Sequence, residues 1–359
     1  MRVGIIGLGQ CGKSSLFYSM TGQPPEPPSG KPHRRLGSAR VPEPRVELVA
    51  RLDGSKRTTH PEITFLDTEG FTAETAKNLN SEMLGMVRDT ELLALVIRVF
   101  TSPTVMHPSG SVDARRDLEN CFGDLIIGDL SVLEHRLGRL KKEYERGRKE
   151  LKREIDAVNK AIAGLEDGQF INQLGLADIE LEQLNQFELL TMKQGIVIWN
   201  VNENDEFGSG GKGVPHHIKI KCDERIWGIG AASLAIETEI MEMDPSDRTD
   251  FLEDLGISVT IQDRFLSAVY KRLGLVTFFT GGAVEAAARS IPAGLTAWDA
   301  AGKVHGDIQK GFIRAEVMSF KDLENLGSVE AVRKAGKYRL EKKEYIVQDG
   351  DIIHFRFNR

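Results

Sequence analysis

The chain has 359 residues, 40% hydrophobic and 28% charged, with a formal net charge of −6, and its length predicts two or three domains. No apolar run approaches the roughly 18 residues of a membrane helix, and the acidic balance argues against a nonspecific nucleic-acid binder, so we expect neither a membrane nor DNA as a partner. Three cysteines without metal or disulfide spacing, and a start without a signal-peptide pattern, lead us to expect a cytoplasmic protein.

The first predicted element is a short strand at residues 2–6 that runs into a glycine-rich loop. Residues 7–14 have the sequence Gly-Leu-Gly-Gln-Cys-Gly-Lys-Ser and match G-x-x-x-x-G-K-[ST]. Such glycines let backbone N–H groups surround phosphates, the lysine contacts the β and γ phosphates, and the serine hydroxyl binds Mg²⁺. We therefore predict a nucleoside triphosphate site with Lys13 also in a catalytic role, formed here by Gly7, Gln10, Cys11, Gly12, Lys13, Ser14 and Ser15.

The second motif follows a proline- and glycine-rich stretch, residues 21–45, which we predict to be a long loop. A predicted strand at 63–66 ends at Asp67-Thr68-Glu69-Gly70, a D-x-x-G element. In GTPase-type sites the aspartate holds Mg²⁺ through a water, and the glycine N–H senses the γ-phosphate. Phe71 stands where many GTPases carry a water-orienting glutamine, so hydrolysis is expected to be slow or to need another group.

A candidate for that group is His107, in a polar loop after an apolar run at residues 92–100. The run is typical of a central parallel strand. The alternative is a solvated surface histidine.

Residues 113–190 have a helical pattern. Two sets of apolar residues step by three and four, which places each set on one helix face. A charged break at 145–148 predicts a turn, and hence an antiparallel helical hairpin. Its charged residues are either a solvated face or a partner-binding arm. The two apolar sets are Leu130, Leu133, Leu137, Leu140 and Tyr144, then Leu151, Ile155, Val158, Ile162 and Leu165.

The base-recognition motif is predicted at Asn200-Val201-Asn202-Glu203, after a strand at 196–199. A GTPase carries N-K-x-D here, and its aspartate accepts hydrogen bonds from guanine. Glu203 is one methylene longer, which argues against strict guanine selection and leaves ATP open. The alternative is a plain surface turn. A further strand is predicted at 226–229, and Ser233 and Leu234 complete the nucleotide-binding candidates.

The last part of the chain contains short β-rich segments and predicts a small α+β domain. Residues 345–347 and 352–357 are predicted to pair around a turn at Gln348-Asp349-Gly350-Asp351. The predicted organisation is an α/β nucleotide domain with a mainly parallel sheet at 1–112 and 191–274, the helical insertion at 113–190, and a C-terminal domain at 275–359.

These motifs, in this order, resemble the YchF/Obg-like ATPases from end to end. The family's P-D-P-R and L-L-T-x-K segments are similar to residues 42–45 and 190–193. Segments 300–305, 310–316 and 345–358 resemble its TGS domain, a ubiquitin-like β-grasp. The resemblance implies a P-loop NTPase of GTPase-like fold with a coiled-coil arm, Mg²⁺ held by Ser14 and Asp67, and ribosome or ribosomal RNA as a partner.

The chain also departs from the family pattern. Gln10 and Cys11 replace the usual P-loop Asn and Val, and residues 30–35 lack the Mg²⁺-ligating Thr and the redox-linked Cys. Residues 77–82 replace a glycine-rich segment. The chain is therefore identified as a divergent member, with nucleotide binding better supported than hydrolysis.

Two functions follow from the sequence. The first is a slow ATPase switch, able to use GTP as well, that acts on or near the ribosome. The second is a hydrolysis-deficient RNA or ribosome adaptor in which the nucleotide is structural. A small-molecule kinase is disfavoured, because no acceptor pocket or lid signature is present.

Overall fold

The computed structural model describes residues 1–24, 34–68, 80–203, 227–257 and 259–358. Within these ranges no helix is long and apolar enough to cross a membrane. The strands are β1 (Arg2–Ile6), β2 (Arg34–Arg40), β3 (Arg57–Thr59), β4 (Glu62–Thr68), β5 (Leu92–Arg98), β6 (Gln194–Asn200), β7 (Trp227–Ala232), β8 (Leu275–Thr280), β9 (Glu285–Pro292), β10 (Phe312–Ser319), β11 (Arg339–Glu341) and β12 (Asp351–Phe357). The α-helices are α1 (Lys13–Thr21), α2 (Arg45–Asp53), α3 (Asn80–Val87), α4 (Ala114–Glu145), α5 (Lys152–Glu166), α6 (Asp178–Asn185), α7 (Leu234–Glu242), α8 (Pro245–Asp254), α9 (Ile261–Arg272), α10 (Ala297–Val304), α11 (Gly306–Lys310), α12 (Phe320–Leu326) and α13 (Val329–Lys334).

The chain forms two compact units. The first unit comprises residues 1–39 and 64–265, and the second comprises residues 40–63 and 266–359. The predicted organisation placed residues 40–63 in the nucleotide domain and began the last domain at 275. The structure differs because α2 buries Val46, Val49 and Ala50 in the core of the second unit and β3 pairs with β9. The second part of that unit begins within α9.

The first unit is built on a six-stranded sheet of order β2-β4-β1-β5-β6-β7. The pairs of β1 with β4 and β5, of β5 with β6, and of β6 with β7 are all parallel. Every residue of β5 is buried, as expected for the centre of a sheet covered on both faces. Parallel strands present their carboxyl ends at one edge, so the residues that follow β1, β4, β5, β6 and β7 meet there.

The helical hairpin is confirmed. Helix α4 has 32 residues and is about 48 Å long. Its first half packs on the sheet core through Leu118, Cys121 and Leu125, and its second half packs on α5. All ten residues of the two predicted stripes are buried or partly buried in the apolar core of this hairpin. The turn occurs at the predicted break, where Gly147 has a φ of 106°.

The second unit is built on a mixed sheet of order β11-β10-β12-β8-β9-β3. Strands β8 and β9 form an antiparallel hairpin, and β12 lies parallel to β8 and antiparallel to β10. This arrangement, with α10 and α11 between β9 and β10, is typical of a β-grasp. The sheet gains β3 as an additional edge strand, parallel to β9.

Two local predictions are wrong. Part of the predicted loop at 21–45 forms β2 at residues 34–40, since Arg35, Gly37 and Ala39 alternate inward. Residues 345–347 are not a strand paired with β12. Ile346 forms an isolated bridge with Thr296, and Asp349 accepts a hydrogen bond from the Thr277 N–H at 2.8 Å. These contacts with distant segments hold residues 345–350 as a loop.

Candidate functional site

The phosphate loop connects β1 to α1 and contains three backbone conformations with positive φ. These are at Gly7 (148°), Gln10 (58°) and Gly12 (107°). A side chain at Gly7 would begin 2.4 Å from the Val96 carbonyl oxygen, and one at Gly12 would begin 2.4 Å from Asn200 Nδ2. Glycine is therefore required at both positions, by conformation and by space.

Lys13 begins α1, and its side chain turns back over the loop. The Nζ atom donates a hydrogen bond to the Leu8 carbonyl at 2.7 Å, and the residue is only 6% exposed. A positive charge is thus enclosed by the loop at the N-terminus of a helix. This combination attracts phosphate oxygens.

Ser14 and Asp67 lie next to each other. The Ser14 hydroxyl donates to Asp67 Oδ2 at 3.2 Å, and Asp67 lies at the buried end of β4. A hydroxyl and a carboxylate are oxygen ligands of the kind that Mg²⁺ prefers, so the pair fits the predicted metal role. Gly70, the predicted γ-phosphate sensor, and Phe71 lie outside the described residues.

Asn200, at the end of β6, joins the phosphate loop to the start of α7. Its Nδ2 donates to the Cys11 carbonyl at 3.0 Å, and its Oδ1 accepts from the Leu234 N–H at 3.1 Å. Ser233 caps α7, with its Oγ accepting from Ile236 N–H. Asn200 therefore uses both ends of its amide to bring three predicted segments together.

These segments surround a cavity of about 780 Å³. Of the predicted residues, Gly7, Cys11 and Asp67 support its walls but do not line it. Four residues of the loop after β5 also line the cavity. They were not predicted, because the sequence of a polar loop does not indicate which residues contact a ligand site. The lining is Gln10, Gly12, Lys13, Ser14, Ser15, Phe100, Thr101, Ser102, Val105, Asn200, Val201, Asn202, Glu203, Ser233, Leu234 and Ala235.

Arg98 holds this loop in place. Its buried guanidinium donates to the carbonyls of Phe100 at 3.2 Å and Val105 at 2.8 Å, and it stacks 4.3 Å from the Phe100 ring. The loop is also bound to the base motif, because the Thr101 N–H donates to Asn202 Oδ1 at 3.1 Å. The loop at residues 100–105, which forms one wall of the cavity, is therefore held by residues of the first unit.

His107 lies farther along the same loop and does not line the cavity. Its Nε2 lies 2.9 Å from Asp117 Oδ2 on α4, and its Nδ1 accepts a hydrogen bond from the Ser109 N–H at 3.1 Å. The imidazole is buried, with 4% of its side chain exposed. It is neither a solvated surface residue nor directed at the phosphate loop, so its catalytic role stays a prediction.

Cys11 is buried in the phosphate loop. Burial raises the pKa of its thiol, although the nearby Lys13 charge opposes that rise. The thiol is therefore protonated at neutral pH and is a packing group, not a nucleophile.

Arg35 was not identified as a site residue from the sequence. It lies on β2 with its guanidinium 3.9 Å from Asp67 Oδ2, and both side chains are buried. From the sequence, Arg35 was noted only as the last residue of the 30–35 segment, which lacks the family's Mg²⁺-ligating threonine. No local pattern indicates that β2 places this residue beside the end of β4.

Three comparisons relate the chain to known proteins. The family model YchF-GTPase_C, described as a protein of unknown function (DUF933), matches residues 275–358. The chain is 34% identical to the ribosome-binding ATPase YchF of Haemophilus influenzae, over 99% of each protein. It is 32% identical to the ribosome-binding ATPase YchF of Bacillus subtilis, over 100% of this chain and 99% of the relative. The solved structure of the Schizosaccharomyces pombe YchF GTPase is similar with a TM-score of 0.80 and 25% identity, covering 99% of this chain and 97% of that one.

Proposed function

This chain belongs to the YchF family of P-loop NTPases, and from that premise we propose that it is a ribosome-associated switch that binds ATP with Mg²⁺ and hydrolyses it slowly. One observation carries the proposal. The Ser14–Asp67 pair and the enclosed Lys13 ammonium lie at the same sheet edge as the Asn200–Glu203 motif, and Lys13, Ser14 and that motif face one cavity.

The phosphate end of the cavity is formed by the loop and the start of α1. Backbone N–H groups and the helix dipole stabilise phosphate charge, and Lys13 adds a full positive charge. Ser14 and Asp67 are the residues that would hold Mg²⁺. When bound, the metal would neutralise charge on the β and γ phosphates.

The base end is formed by residues 200–203, Phe100 and residues 233–235. Glu203 is exposed, and its carboxylate is one methylene farther from the backbone than the aspartate of a guanine site. Val201 replaces the lysine that packs over guanine. We infer that ATP binds at least as tightly as GTP.

Hydrolysis is proposed to be slow because His107, the candidate catalytic group, contacts Asp117 and does not line the cavity. The same observation favours a second candidate function, an adaptor for RNA or the ribosome in which the nucleotide is structural. Both functions share the binding site and differ only in turnover.

The ribosome contact is proposed to involve ribosomal RNA and a basic cluster in the second unit, consisting of Lys337, Arg339, Lys342 and Lys343. Phosphate contacts of lysine and arginine supply much of the affinity for nucleic acid. The helical hairpin is the alternative contact surface.

The test is calorimetric titration with ATP and with GTP, followed by phosphate release with and without ribosomes. Binding with release supports the switch, and binding without release in either condition supports the adaptor. Absence of binding contradicts both. A preference for GTP of about tenfold, or about 1.4 kcal/mol, contradicts the argument from Glu203. Glu203→Asp alone is not expected to create such a preference, since Val201 remains.

A further inference from the structure

Arg35 places a permanent positive charge beside the proposed metal ligands. Its Nη1 lies 3.9 Å from Asp67 Oδ2, the same oxygen that accepts the Ser14 hydroxyl at 3.2 Å. The exposed fraction is 8% for the Arg35 side chain and 3% for that of Asp67.

The position of Arg35 is fixed by contacts other than Asp67. Its Nη2 donates to the Pro24 carbonyl at 2.7 Å and approaches the Gln23 carbonyl at 3.4 Å. The guanidinium also lies over the Phe17 ring, 4.7 Å from its centroid. The carbonyls and the ring come from α1 and the residues that follow it. The charge is therefore held beside Asp67 by the scaffold of the first unit.

We propose that Arg35 is a resident cation of the nucleotide site, which shares Asp67 with Mg²⁺ and lowers the affinity of the site for the metal. Two cations within a few ångströms of one buried carboxylate repel each other more strongly than they would in water. ATP binding then depends less on Mg²⁺, because part of the neutralising charge is already present. The inference deepens the proposed function and rests on it for the nucleotide.

A purely structural role for Arg35 predicts something different. If the residue only ties β2 to α1, its loss lowers stability and leaves the metal affinity of the folded protein unchanged. The metal affinity therefore distinguishes the two roles.

The experiment uses the full chain and Mn²⁺ as a paramagnetic substitute for Mg²⁺. Mn²⁺ binding is measured by electron paramagnetic resonance without nucleotide, and ATP affinity is measured by calorimetry in EDTA and in excess Mg²⁺. Arg35→Met is expected to raise Mn²⁺ affinity by about tenfold or more, because the competing charge is removed. It is also expected to increase the ratio of ATP affinities with and without Mg²⁺.

A control, a double variant and a substitute variant complete the design. Arg40→Met is the matched control, since Arg40 is exposed and lies about 16 Å farther along the same strand. Its metal affinity should equal that of the wild type. Asp67→Asn in the Arg35→Met background should abolish the gain in Mn²⁺ affinity. If Arg35→Met does not fold, Arg35→Gln serves instead, because its amide can still donate to the Pro24 carbonyl.

Unchanged or lower Mn²⁺ affinity in the folded Arg35 variant overturns the inference. A gain that persists after Asp67→Asn also overturns it, because the gained metal would then bind elsewhere. Failure of the wild type to bind ATP would contradict the proposed function, while the Mn²⁺ measurement without nucleotide would still decide the role of Arg35.

Discussion

The two units carry their charges in different ways. In the first unit, Lys13 is enclosed by a loop whose conformation requires glycine, and its ammonium is held within the cavity wall. In the second unit, a run of basic residues near the last strand looks like a phosphate-binding surface in the sequence. Much of that charge is matched by carboxylates that the fold brings close.

Three of the basic residues in the second unit lie beside individual carboxylates. Lys337 donates to Asp322 at 2.5 Å, Arg339 lies 3.8 Å from Asp351, and Lys343 lies 3.9 Å from Glu344. Arg339 also stacks on a tyrosine ring. A positive charge in a sequence is therefore not equivalent to positive potential at a surface. A phosphate loop is defined by consecutive residues, whereas the charge of a patch also depends on carboxylates that the fold brings beside it, as it does Asp322 for Lys337 and Asp351 for Arg339.

The largest effect is expected for Lys13→Ala. The variant removes the enclosed charge at the cavity wall and leaves the apolar core residues in place, so the fold should persist while ATP affinity falls by about a hundredfold or more, or about 3 kcal/mol. Calorimetry measures the affinity and circular dichroism checks the fold. Lys152→Ala, on the exposed face of the hairpin, is the control. Unchanged ATP affinity in Lys13→Ala would show that the enclosed charge of the first unit does not bind phosphate.

The second prediction concerns a buried acid of the first unit. Burial raises the pKa of Glu237 from 4.5 to about 7, although a hydrogen bond from the Ile261 N–H and the charge of Arg264 oppose the rise. The folded protein thus keeps a proton that the unfolded chain loses between these values. Stability should fall as pH rises from about 5 to 7.5, by at most about 3 kcal/mol.

Glu237→Gln should flatten that dependence, since its amide does not titrate. Glu239→Gln, an exposed position on the same helix, should leave it unchanged. Urea unfolding of the wild type and both variants across this pH range measures the effect. Equal slopes for Glu237→Gln and the wild type would show that Glu237 does not retain the proton.

The third prediction tests whether paired charges stabilise the second unit. Arg45 donates to Glu43 Oε2 and to Asp349 Oδ2, each at 2.7 Å, and so joins α2 to the loop before β12. Arg45→Met leaves the largely buried Glu43 carboxylate without this partner. The second unit should lose about 1–2 kcal/mol of stability.

Hydrogen exchange of the β9 and β12 amides reports this loss within the second unit. Arg51→Met, an exposed position on the same helix, should have no effect on it. Protection that is identical in Arg45→Met and the wild type would mean that the pair contributes nothing to this unit.

The smallest effect is expected for the basic cluster. Neutralising Lys337, Arg339, Lys342 and Lys343 together should weaken ribosome association and flatten its salt dependence, by about one unit of slope for each phosphate that no longer has a basic partner. Because three of the four have carboxylate neighbours, we expect a change well below four units. Sedimentation with ribosomes at several salt concentrations measures it, and ATP affinity should stay constant. If the variant associates with ribosomes as the wild type does, the basic cluster is not the contact surface and the hairpin becomes the candidate. Lys141→Gln combined with Lys142→Gln is then the next test.

The sequence by itself predicted the parallel sheet and the helical hairpin. Each of these depends on a local pattern: an apolar run as in β5, or a three-and-four spacing as in α4 and α5. The phosphate loop, Ser14, Asp67 and the Asn200 segment were also predicted, because their chemistry requires fixed residue types at fixed positions after a strand. Tertiary structure then placed His107 against Asp117, a contact between a loop and a helix that no spacing encodes.

Only the tertiary structure decided which unit receives residues 40–63 and which residues stand beside Asp67. Strand β3 is three residues long, too short for a periodic signal, and it is defined by its pairing with β9. Arg35 lies beside Asp67 because β2 and β4 are neighbours in the sheet. Strand pairing joins residues that are distant in sequence, so its consequences for charge and for domain membership are not contained in any local pattern.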